Sequence, residues 1–170
     1  ISNTMAGVLD AGSWHHQAST IGEEAAGRPN GGSILETRLG ELVGEGVIAD
    51  YCVCDAAGAV LLAAAGGGGV LEADLRANPA LAGQFRAAFS IDAEGAEPCG
   101  WSSFVMLNGR KLVVVRRTMG TLCAVSKERR EGVVVCSLPA HMLLFAAFRR
   151  PWVAQLVVPR VEAVSDLLRV

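Results

Sequence analysis

The feature that most constrains this chain is the shortness of the gaps between apolar segments from Cys99 to Phe148. Five segments there are rich in Val, Leu and Phe: Ser102 to Leu107, Lys111 to Arg116, Thr121 to Val125, Val133 to Cys136 and Met142 to Phe148. Such residues favour strands, and turn formers separate them at Asn108-Gly109, Gly120, Lys127 to Gly132 and Pro139. A gap of that length reverses a chain but cannot hold a crossover helix, so the strands are expected to pair antiparallel in sequential order. The runs LVVV, GVVVC and MLLFAAF also lack the alternation of a sheet with one wet face. This predicts that both faces are covered, by helices from the segments before and after the meander.

Those flanking segments carry helix signals. Ser33 is a candidate N-cap with Glu36 at the capping-box position, and Ile34, Leu35, Leu39, Leu42 and Val43 recur at helical spacing. Gly44 and Gly46 end that helix. Val47 to Cys54 and Ala59 to Ala64 read as a hairpin around Asp55-Ala56-Ala57-Gly58. Leu71 to Leu75 and Leu81 to Phe89 read as two short helices parted at Asn78-Pro79, followed by a loop from Ser90 to Pro98. Val157, Val161, Val164 and Leu168 share one face of a last helix, expected from about Pro159. The expected fold class is α/β of the α+β type. Its antiparallel meander sheet has about seven strands, with N- and C-terminal helices on one face and short helices on the other.

A chain of 170 residues with 51% hydrophobic content suits one buried domain. Residues 33–170 are expected to form it, and residues 1–32, small and polar, to be a poorly ordered N-terminal extension. Trp14-His15-His16 is the one distinctive cluster in that extension, and adjacent side chains rarely converge on one ion. The formal charge of −2 gives no sign of nucleic-acid binding, but charge is unevenly spread. Residues 101–150 hold nine Lys/Arg against two Asp/Glu, which suggests a basic face for an acidic partner.

Other classes lack positive signals. Five cysteines without finger-like spacing read as buried free thiols, so no metal or other cofactor is expected. Gly66 to Gly69 lacks the Lys-Ser/Thr of a phosphate loop and reads as a flexible link. No run approaches the roughly 20 apolar residues of a membrane span. His15, His16 and His141 stand in no recognisable nucleophile, base and acid context, so no catalytic residues and no enzyme are expected.

The order and spacing of these motifs resemble the profilin family over about residues 33–170. Asn108 to Arg116, NGRKLVVVR, is similar to the family's glycine-glycine-x-lysine-x-x-x-x-arginine strand. Gly120 to Val135 resembles its next hairpin, Met142 to Phe148 its last strand, and Cys54 to Val60 its aspartate-glycine hairpin. Val161 to Leu168, VEAVSDLL, is similar to its valine-glutamate-x-leucine-x-aspartate-tyrosine-leucine ending.

The resemblance implies a monomeric, cytoplasmic, cytoskeletal protein that binds monomeric actin and regulates filament assembly, with phosphoinositide lipids as a further partner. Carried over residue by residue, it implies actin-binding roles for Trp101, Ser102, Lys111, Arg116, Lys127 and Arg149. The family's aromatic platform for proline-rich ligands falls on Ile34, Thr37, Leu61 and Leu167, none of which carries a ring, so poly-L-proline binding is expected to be weak or lost. The alternative function is a roadblock- or longin-like scaffold subunit, which would dimerise through an exposed strand or helix.

Overall fold

A computed structural model describes residues 31–64, 69–89, 104–107 and 109–169. The expected extension up to Asn30, the glycines at 66–68, the loop at 90–98, Cys99, Trp101 and Ser102 lie outside the described residues. The elements below belong to the compact unit Leu35–Val170, which the first helix enters from Gly31.

Helix α1 (Gly31–Gly44) buries Leu35, Leu39 and Leu42, one stripe at spacings of four and three, while Glu36, Thr37 and Arg38 face water. It begins two residues ahead of Ser33, so Ser33 lies inside it and not at its cap. Its end is a Schellman closure. The amide of Val47 donates to the Leu42 carbonyl at 2.9 Å and that of Gly46 to Val43 at 2.9 Å, with Gly46 left-handed at φ 74°.

The hairpin of β1 (Asp50–Cys54) and β2 (Val60–Ala63) turns on Asp55, whose Oδ1 accepts from the amides of Ala57 and Ala59 at 2.8 and 2.9 Å. Gly58 is obligatory there. Its φ is 89°, and a side chain would stand 2.5 Å from the Pro79 carbonyl oxygen. Two short helices follow, α2 (Val70–Ala77) and α3 (Ala80–Phe89).

The meander is β3 (Phe104–Leu107), β4 (Arg110–Arg117), β5 (Thr121–Ser126), β6 (Glu131–Ser137) and β7 (Leu143–Arg149), every neighbouring pair antiparallel. Strand β1 adds to the far side of β7, giving a seven-stranded sheet in the order β2-β1-β7-β6-β5-β4-β3. The sequential order predicted from the short gaps is therefore present.

Helix α4 (Ala154–Asp166) starts five residues before the expected Pro159. Val157 and Val158 are buried against the sheet, and this burial extends the helix through a residue that has no backbone donor. Pro159 thus occupies the second turn, solvent-exposed.

The core has two layers, one on each face of the sheet. Helices α1 and α4 cover Tyr51, Val53, Cys123, Val134, Leu144 and Phe148, while α2 and α3 cover Cys52, Cys54, Leu122, Val133, Val135 and Phe145. The rings of Phe85 and Phe145 meet edge to face at 5.2 Å in the second layer. Cys52 and Cys54 share a face, as their spacing of two requires.

Candidate functional site

The expectation that both faces of every meander strand are covered fails at β4. Its burial alternates irregularly, with Lys111, Val113, Val115 and Arg116 all exposed. A helix is about 10 Å wide and strands lie about 4.8 Å apart, so two helices side by side cover about four strands. Helix α4 packs on β5, β6 and β7. The outermost pair, β3 and β4, is left open on that face.

Register shows which side chains line the open strip. Phe104 pairs with Val113, Met106 with Lys111, Val113 with Val125 and Arg116 with Cys123. Directly paired residues point to one face, and Cys123 and Val125 belong to the layer under α1 and α4. A bulge between Val114 and Arg116 inserts one extra residue, Val115, and bends the strand there. Val115 and Arg116 both line a cleft of about 340 Å³ with Val125, Phe148, Arg129 and Val153 at the start of α4.

The strip is apolar and large. Phe104 is 37% exposed, Met106 50%, Val113 41% and Val115 47%, and Val153 and Leu156 add exposed apolar surface on α4. Contiguous apolar surface of this kind marks an interaction site. Two cations are held within it. Lys111 Nζ lies 3.9 Å from the centroid of the Phe104 ring, and the Arg116 guanidinium reaches Glu162 of α4 at 3.4 Å. Both side chains remain solvent-accessible, so the strip presents positive charge set in an apolar field.

The residues expected from sequence divide by position. Lys111 and Arg116 lie together on the open strip. Lys127 is exposed in the β5–β6 turn, as is Arg129, whose side chain lines the cleft. Arg149 follows Phe148 on β7 and pairs with Glu131, which places it on the opposite face of the sheet. Arg116 and Arg117 likewise point to opposite faces. Trp101 and Ser102 lie outside the described residues.

Sequence reasoning missed Phe104, Met106, Val113, Val115 and Val153. The available signal was the strand order itself, since β3 and β4 fall last in a sequential sheet and, among the described residues, two helices cover that face.

Elsewhere, Ile34, Leu61 and Leu167 are 44%, 55% and 49% exposed, and Thr37 is exposed as well. These are aliphatic or hydroxyl positions that offer no flat face to proline. Trp152 is partly buried against the core, with the Arg160 guanidinium 5.9 Å from its ring. Among the described residues, no cluster of three or more His, Cys, Asp or Glu could hold a metal ion. The described thiols are buried, and burial pushes Cys52 up to about 12 and Cys54, Cys123 and Cys136 up to about 11, which leaves them protonated and unreactive near neutrality. Among the described residues, no helix is long and apolar enough to cross a membrane.

No family model matches the chain, and no curated protein matches it in sequence. Solved structures do. Profilin IB of Acanthamoeba castellanii is 21% identical, with 74% of this chain and 88% of that one covered at a TM-score of 0.52. LokiProfilin2, solved in complex with rabbit actin, is 16% identical, with 79% and 96% covered at 0.56. MglB of Myxococcus xanthus is 11% identical, with 80% and 85% covered at 0.50. At these identities the likeness is one of fold.

Proposed function

We propose that this chain, a divergent profilin in its fold, binds monomeric actin through the open β3–β4 strip and so regulates filament assembly. The observation that carries this reading is the strip itself: contiguous exposed apolar side chains with Lys111 and Arg116 set among them. Those two cations are the positions that the family resemblance assigns to an actin-facing role. The LokiProfilin2 structure, a complex with rabbit actin, supports the partner.

Physically, the apolar strip supplies desolvation energy and the cations supply orientation and steering toward an acidic surface. Lys111 is pre-positioned on the Phe104 ring and Arg116 by Glu162, which reduces the conformational entropy lost on docking. Lys127 and Arg129, at the end of the same strip, extend the positive field. Proline-rich ligands bind weakly or not at all, because Ile34, Thr37, Leu61 and Leu167 cannot stack on proline rings.

The test is capture of monomeric actin by the wild-type chain and by the Lys111→Glu, Arg116→Glu double variant. Wild type binds and slows spontaneous filament assembly, and the double reversal weakens binding at least about tenfold. Equal capture by both proteins, or none by wild type, overturns the reading. The likeness to MglB keeps a scaffold subunit as the competing reading. An obligate dimer in solution that captures no actin would favour it.

A further inference from the structure

The cleft of about 340 Å³ beside the β4 bulge joins an apolar floor to a cationic rim. Val125, Phe148 and Val158 are buried core side chains at its floor, while Val115 and Val153 are exposed at its walls. The volume lies at the low end of the range of about 300–1,000 Å³ typical of small-molecule sites, which are lined mainly by apolar side chains with a few polar groups.

The charged lining is Arg116 and Arg129, and no carboxylate stands among the described residues that line the cleft. Arg116 engages Glu162, which lies outside the lining, through one nitrogen at 3.4 Å, so its fork of donors is not filled. Arg129 is exposed and has no carboxylate within ion-pair distance among the described residues. Setting Glu162 against one guanidinium leaves a single positive charge in excess beside the apolar floor. Arg129 also stands at φ 53°, a left-handed backbone that favours Gly or Asn, so the turn itself does not require arginine there.

We propose that this cleft binds a small amphipathic monoanion of the medium-chain carboxylate class, and that the ligand competes with actin for the strip. The carboxylate sits between Arg129 and Arg116, whose guanidinium groups match planar oxyanions by paired hydrogen bonds. The chain lies against Val115, Val153 and Phe148. One excess charge and a small hollow suit one carboxylate on one chain. Binding of the anion stands on the cleft alone, whereas the competition rests on the actin reading, because Val115 and Arg116 belong to both surfaces.

The probe is decanoate below its micelle concentration, followed by amide shifts of the isotope-labelled protein, with decanol as the uncharged control. Decanoate is expected to saturate, to shift the amides of Val115, Arg129 and Val153, and to bind at least about tenfold tighter than decanol. Arg129→Gly suits the left-handed turn and melts no lower than wild type, yet it abolishes the preference for decanoate. Arg149→Gln, on the opposite face, leaves that preference unchanged. Equal affinity for decanol, no shift at those three amides, or wild-type preference in Arg129→Gly overturns the site. Saturating decanoate should also lower actin capture at least about tenfold where decanol does not, and undiminished capture overturns the competition. If wild type captures no actin, the competition falls with the actin reading, while the amide shifts still decide the site.

Discussion

Gly132→Ala is the substitution whose cost follows most directly from the geometry. Gly132 sits in β6 opposite Phe148 of β7. A methyl group there would lie 2.5 Å from Phe148 Cζ and 2.7 Å from the Ala124 carbonyl oxygen. The ring belongs to a residue only 2% exposed, and the carbonyl is backbone of the neighbouring strand. Neither contact is relieved by a simple rotamer change, so overpacking of about 1–3 kcal/mol is expected. Removing a glycine from a strand returns about 0.5–1 kcal/mol of backbone entropy, which leaves a net loss of about 0–2.5 kcal/mol.

For a chain of this size, each kcal/mol shifts Tm by about 2–4 °C, so the variant should melt up to about 10 °C lower. Thermal unfolding followed by circular dichroism reads this directly. Gly83→Ala is the matched control. Gly83 lies inside α3 with nothing within 4 Å of the new methyl group, and the variant should melt about 1–4 °C higher. A Gly132→Ala protein that melts at or above wild type would refute the claim that Phe148 is clamped over this glycine. Because Phe148 also lines the cleft beside Arg116, the proposed function predicts that the same variant captures actin less well.

Phe85→Ala removes a fully buried ring stacked edge-on against Phe145 and should cost about 3–5 kcal/mol by urea unfolding. Asp50→Ala removes the acceptor for the Leu71 amide and should cost about 0.5–2 kcal/mol, measured the same way. Thiol ionisation should destabilise the fold at high pH. The buried thiols stay protonated to about 11 or 12, whereas in the unfolded chain they ionise near 9, so the native state holds more protons above pH 9 and stability falls as pH rises from there. The urea midpoint should therefore be lower at pH 10 than at pH 8, and a higher midpoint would contradict the burial described.

Much of the fold was legible because the constraints were local. Gaps too short for a crossover fixed the order of β3 to β7, and the Asp55 turn and the leucine stripe of α1 could be read from side-chain spacing alone. What escaped depended on distant parts of the chain. The run LVVV signals a doubly covered strand by composition, yet β4 is open because α1 and α4 are too narrow to reach it. Pro159 signals a helix start, yet burial of Val157 and Val158 carries α4 through it. For the site, Lys111 and Arg116 came from the family resemblance. Their apolar surround, and the separation of Arg149 onto the other face, required the register.

The sheet also sets an order of events for folding. The β3–β7 meander joins sequence neighbours and can assemble early, but β1 must pair with β7 across about a hundred residues, Asp50 against Ala147. The first hairpin emerges from synthesis with one long edge unpaired and waits for the chain's last strand to arrive. During that interval its exposed flank is the place where a neighbouring molecule could insert by mistake.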